Sequence, residues 1–125
     1  MTENDVSKII VDAAFKIHTA LDPGLLESVY ESVLTYELEQ RGCVVVRQQV
    51  VPVVYENAHL DAGFRADLIV NRKVIVEIKS VEAIALVHLK QVRTYLRLTD
   101  LHLGLLINFN VDLIKDGIRR VVNNL

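Results

Sequence analysis

The 125-residue chain contains a single cysteine, Cys43. One cysteine excludes an internal disulfide and any cysteine-based zinc cluster. It follows Gly42 at the start of a Val-rich run, the setting of a buried, inert thiol rather than of a nucleophile. No run of about 18 apolar residues exists to span a bilayer, so a membrane is not an expected partner. The opening Met-Thr-Glu-Asn-Asp lacks the basic and apolar regions of a secretory signal, and a cytoplasmic location is expected. An excess of positive charge is missing too. A net charge of −2 argues against a broadly basic nucleic-acid binder, while leaving room for a local basic groove. There is no low-complexity tract, internal repeat or long linker, so residues 1–125 are expected to form one domain with its own core.

What the chain has in quantity is apolar residues, 51% of the sequence, enough to suggest that a partner subunit covers part of the surface. Residues 4–20 show helical spacing through Val6, Ile9, Ile10, Ala13, Ala14 and Ile17, with Asn4 or Asp5 as cap. Leu21-Asp22-Pro23-Gly24 ends that helix. A second is predicted over 25–40, stopping at Gly42. Residues 44–55 read as extended, with Pro52 restricting them to an edge or a bulge, and 56–59 as a turn. A third helix is predicted over 82–98 and a doubly buried strand over 103–109. The tail, with Val111, Ile114, Ile118, Val121 and Val122, fits a short helix or a strand. The order ααβββαβ makes a mixed α/β domain.

Between the turn and the third helix lies the most informative stretch, 64–79. Two runs rich in Val, Ile and Leu, 64–70 and 74–79, flank Asn71-Arg72-Lys73 and predict a β-hairpin. Alternation puts Ala66, Leu68 and Val70 on one face of the first strand, and Val74, Val76 and Ile78 on one face of the second. These apolar faces coincide only if the register keeps parity, as when Val70 lies opposite Val74 across a three-residue loop. Asp67 then faces Glu77, with Lys79 one step along on the same face. Two carboxylates directly opposed are destabilising unless a cation lies between them. Hard oxygen donors of this kind suit a divalent cation, which would help an attacking water to lose a proton. A hairpin with a polar outer face and a cross-strand ion pair is the simpler alternative.

On the second helix, Glu27 lines up with Tyr30, Leu34 and Leu38. A carboxylate against a core costs several kcal/mol, about the desolvation penalty of a charge, unless a cation or donors satisfy it. A first-turn acid is also favoured by the helix dipole. On the third helix Gln91 and Tyr95 stack on one flank, with His88 a turn before, and Lys90, Arg93 and Arg97 form a basic row on the opposite flank. Gln and Tyr contact phosphate oxygens without adding charge, and a basic row neutralises phosphates or is simply a solvated face. His18, beside Ile17, reads as a packed histidine rather than a ligand.

Gly24-Leu25-Leu26-Glu27-Ser28-Val29-Tyr30 resembles the signature of the GxxExxY protein family, of the PD-(D/E)XK nuclease superfamily. The similarity runs through Ile17-His18, Arg65-Ala-Asp67, Glu77-Ile-Lys79, Gln91-x-x-x-Tyr95, Gly104-Leu-Leu-Ile-Asn-Phe109 and Gly117-Ile-Arg-Arg120. The resemblance implies a PD-(D/E)XK nuclease-like core, αβββαβ, with a mixed central sheet flanked by helices. It implies that Asp67, Glu77 and Lys79 are the nuclease signature and that the carbonyl of Ile78 is an added metal ligand. By the same resemblance, Glu27 is the helix-borne acid of the RecB-type and lambda-exonuclease-type branches. Gln91 and Tyr95 are then their QxxxY motif, which places substrate and the active-site strand.

The function implied is a Mg²⁺-dependent nuclease, with Mn²⁺ as substitute, that hydrolyses phosphodiester bonds of nucleic acid, DNA ahead of RNA. Asp67 and Glu77, helped by Glu27, hold one or two cations in that reading. Lys79 orients the water or stabilises charge on the phosphoryl oxygens. The alternative is a non-catalytic oligomeric assembly or binding module that retains the nuclease fold. A homo-oligomer, most simply a two-fold dimer, is expected because a second apolar arc of Leu25, Val29, Val33 and Tyr36 accompanies the Tyr30 stripe.

Overall fold

The computed structural model describes residues 1–60 and 64–125. Helix α1 spans Glu3–Leu21 and α2 Glu27–Gln40. Strand β1 covers Val45–Val50, β2 Val53–Tyr55 and β3 Ala58–Leu60. The hairpin strands are β4, Arg65–Val70, and β5, Val74–Lys79. Helix α3 spans Leu86–Thr99, β6 Leu103–Asn108, and a 3-10 turn over Ile114–Gly117 leads into β7, Ile118–Val122. Five strands form one sheet in the order β1-β4-β5-β6-β7, with β5 and β6 parallel and the other pairs antiparallel. The sheet is therefore mixed, and helices flank it, as a PD-(D/E)XK nuclease-like core requires.

Each face of the sheet has its own core. Val6, Ile10, Tyr30, Leu34 and Leu38 of α1 and α2 pack with Leu68, Val70, Val74, Val76 and Ile78. Val92, Tyr95 and Leu96 of α3 pack with Ile75 and Leu106 on the other face. Burying each such Leu, Ile or Val contributes roughly 1.5–3 kcal/mol. Gly104 lets α3 approach β6, since a Cβ there would lie 2.5 Å from Val92 Cγ1. Cys43 is buried, as expected, and burial pushes its thiol up. His18 is also packed, its Nε2 2.7 Å from the Val111 carbonyl oxygen. Among the described residues no helix is long and apolar enough to cross a membrane.

Several local expectations need correction. The α1 cap is Thr2, which accepts from the Asp5 amide while Asp5 accepts from the Thr2 amide; neither Asn4 nor Asp5 is the cap residue. Residues 44–55 are not one strand. The chain breaks at Val51-Pro52, and β2 pairs with β3 in a separate hairpin. Its turn is only Glu56-Asn57, both at positive φ (48° and 68°), so Ala58 and His59 belong to β3. Helix α3 starts at Leu86, not near 82. The Asn108 side chain bonds both the amide and the carbonyl of Val81, fixing the preceding loop in a non-helical path. The tail, expected as a short helix or a strand, is a 3-10 turn followed by the strand β7. Ala66 packs on the α3 side while Leu68 and Val70 pack on the α1 side, so strict alternation fails at Asp67.

Candidate active site

The β4–β5 register pairs Val70 with Val74 and Leu68 with Val76, as the three-residue loop demands. One step further Asp67 meets Glu77, and there side chains replace the main-chain ladder. The Asp67 amide donates to Glu77 Oε1 at 3.0 Å, and the Ile78 amide donates to Asp67 Oδ2 at 2.8 Å. Each carboxyl thus holds the other strand's backbone. Glu77 is buried and Asp67 half-buried.

Burial and the like charge of Asp67 push the Glu77 carboxyl up to about 8. Asp67 is also raised, first by desolvation and then by Glu31, against the Ile78 amide bond that lowers it. The half-buried Lys79 lies near enough to Glu77 to favour its charged form. Burial followed by Glu77 and Asp67 raises Tyr95 of α3, so that phenol faces the same two carboxyls. Tyr95 is 7% exposed and meets Phe64 edge-on, ring centroids 5.3 Å apart. Gln91, one turn earlier on α3, is exposed.

Glu27 heads the Tyr30–Leu34–Leu38 stripe but, as the first residue of α2, is exposed rather than set against the core. Its Oε2 accepts from the Ser80 amide at 3.0 Å, one residue past Lys79, and Ser80 Oγ donates to the Leu25 carbonyl. The start of α2 is thereby fastened to the end of β5. Glu27 and Asp67 line one cavity of about 420 Å³ together with Ser28, Glu31 and Gln48.

Glu31 is the residue that sequence reasoning missed. It is only 7% exposed. Arg47 donates to its Oε2 from Nη2 at 2.9 Å, and Gln48 Nε2 donates to Oε1 at 2.5 Å and to Asp67 Oδ1 at 3.3 Å. Gln48 therefore bridges the two acids, from a residue of β1 at φ 52°. One signal was present: Glu27 and Glu31 are four apart, a like-charge spacing that destabilises a helix unless something else uses the charges.

Among the described residues no three His, Cys, Asp or Glu side chains form a preassembled metal cluster. Asp67 and Glu77 are brought together, whereas Glu27 is turned to Ser80 and Glu31 to Arg47. The chemistry of the central pair nevertheless fits a cation. Two carboxyls side by side, one of them buried, cannot both ionise cheaply, and a divalent ion between them would relieve both.

No curated protein and no solved structure matches the chain significantly. A family model does, across residues 4–121, nearly the whole chain, including both hairpin carboxylates, Lys79 and the α2 acids. Members of that family generally use divalent metals, as the Asp67–Glu77 donor set would suit. With the mixed sheet and this carboxylate pair in hand, the match establishes that the chain belongs to the PD-(D/E)XK nuclease superfamily.

Proposed function

We propose that this protein is a divalent-metal-dependent nuclease that hydrolyses phosphodiester bonds of nucleic acid, DNA ahead of RNA. The observation that carries the reading is the convergence of Asp67 and Glu77, each carboxyl bonded to a backbone amide of the other strand. Asp67, Glu77 and the Ile78 carbonyl would hold the cation, with Glu27 joining directly or through water. Mg²⁺ suits a set with few carboxylates because it retains several waters, and Mn²⁺ substitutes for it. When bound, such an ion polarises the scissile phosphate and lowers the pKa of an attacking water. Lys79 then orients that water or stabilises charge on the phosphoryl oxygens. Tyr95, facing the carboxyls, and Gln91, one turn away, position the substrate.

The same reading places the chain in the GxxExxY group, near the RecB-type and lambda-exonuclease-type branches. In its support, Gly24, Glu27 and Tyr30 all belong to one assembly. Gly24 turns at φ 108°, the Tyr30 hydroxyl donates to the Asp22 carbonyl at 2.5 Å, and Glu27 takes the Ser80 amide. Conversion of labelled single- and double-stranded DNA and RNA, with and without Mg²⁺ or Mn²⁺, tests the function. Cleavage that needs the metal and disappears in Glu77→Ala supports it, and no cleavage of any of the four substrates refutes it.

We further propose a two-fold homodimer. Leu25, Val29 and Tyr36 of the second α2 arc are exposed, Tyr36 by 62%, while Val33 packs against the core. Two-fold pairing is the commonest closed assembly and would set two active sites at a fixed spacing. Light scattering at micromolar concentration should give twice the 14.1 kDa chain mass.

A further inference from the structure

Four of the chain's 14 lysines and arginines turn their charges to one groove. Lys90, Arg93 and Arg97 form the wall on α3. Arg119 faces them from β7, the edge strand of the sheet, while Arg120 points to the other sheet face, where it donates to Asn4 Oδ1 of α1. The groove measures about 740 Å³, against about 420 Å³ at the carboxylates. Leu89 and Val121, part of the α3-side core, make its floor.

A solvated helix face would explain the α3 row alone. It does not explain a further arginine facing that row from a strand. Among the described residues no acidic side chain lines the groove and none of its four cations pairs with a carboxylate. Neutral oxygens hold one of them: Arg119 donates to the carbonyls of Asp116 and Ile118. The positive charge is thus concentrated and left uncompensated in a chain whose net charge is −2. Such a field recruits a polyanion.

We propose that the α3–β7 groove holds the sugar–phosphate backbone of one nucleic-acid strand, alone or within a duplex, away from the catalytic cleft. The choice of polyanion rests on the nuclease reading; the groove itself does not. From Lys90 to Arg97 the α3 wall runs about 10 Å at about 1.5 Å per residue. That is the axial length of about three nucleotides of one duplex strand at about 3.4 Å each. No aromatic side chain lines the groove, so bases have no platform to stack on and binding is led by phosphates, independent of sequence. Tyr95 sits on the other flank of α3, against the carboxyls. The groove therefore anchors nucleotides flanking the scissile bond.

Fluorescence anisotropy of a fluorescein-labelled 30-nucleotide DNA, single-stranded and as a duplex, reads this directly in EDTA, where no cleavage is needed. Arg93→Glu with Arg119→Glu, one from each wall, should weaken binding at least about tenfold. The slope of log affinity against log salt should fall by about two. If that double reversal does not fold by circular dichroism, Arg93→Gln with Arg119→Gln should give the same loss of slope. An unchanged affinity and salt slope in a folded double variant overturns the groove. So does equal binding of polyglutamate through the same arginines. A protein that cleaves while its double variant binds normally loses the groove and keeps the nuclease; one that binds through Arg93 and Arg119 but never cleaves loses the nuclease and keeps the groove.

Discussion

Tyr30 stacks face to face on Phe109, ring centroids 4.4 Å apart and planes 5° from parallel. Its hydroxyl reaches out of the core to the Asp22 carbonyl and accepts from the Leu25 amide. One side chain thus ties α2 to the end of β6 and shapes the loop that delivers Glu27. Tyr30→Phe keeps the stack and loses the hydroxyl. It should cost about 1 kcal/mol, the net worth of one hydrogen bond, and up to about 3 kcal/mol if the Asp22 carbonyl is left unsatisfied. Urea denaturation gives the number. A variant as stable as wild type would show that water replaces the hydroxyl there.

Metal-free stability should depend on pH through Glu77. Its folded carboxyl titrates at about 8 against an ordinary value of 4.5, so the native state holds a proton that the unfolded chain releases. The resulting stabilisation is complete below about 4.5 and is lost as pH rises to about 8. In EDTA, melting temperature should therefore fall across that window. Glu77→Gln, which carries a permanent neutral group, should flatten the fall. A wild-type profile as flat as the variant's would mean that Glu77 titrates normally.

At the proposed metal site, cation binding would displace that proton. Calorimetric titration with Mn²⁺ at pH 7 should release about one proton per ion, seen as an enthalpy that changes with the ionisation heat of the buffer. The release should fade above pH 8, where Glu77 is already ionised. Asp67→Ala should abolish binding, since it removes one of the two central donors. Binding that survives in this variant would move the metal elsewhere.

The hairpin register was legible because a period of two leaves few choices. A three-residue loop and two apolar faces together force Val70 against Val74, and Asp67 against Glu77 follows. Helices α1 and α2 were legible from Ile10, Ala14, Leu34 and Leu38 in the same way. What the chain does not reveal locally is contact between distant elements. Glu31 went unnoticed because its partners, Arg47 and Gln48, lie in another element, β1. The late start of α3 depends on Asn108, 27 residues beyond Val81. Ala66 changes face because Asp67 spends its carboxylate on the Ile78 amide, a departure from pleat geometry that no hydrophobic pattern encodes. Arg119 faces the α3 row only because β7 pairs with β6.

In the proposed mechanism Lys79 separates catalysis from metal binding. Its ammonium cannot ligate a cation, and it lies beside Glu77, where it favours the carboxylate. Lys79→Ala should therefore lose cleavage by roughly 100–1,000-fold, the usual loss when one donor to a developing oxyanion is removed. Mn²⁺ affinity should hold or rise slightly, because a like charge next to the ion has gone. Lys79→Arg keeps the charge but changes its shape and reach, so it should recover only part of the rate. Cleavage kinetics and Mn²⁺ calorimetry on the same preparations decide the matter. Full activity in Lys79→Ala removes this residue from the mechanism, and lost metal binding would make its role structural.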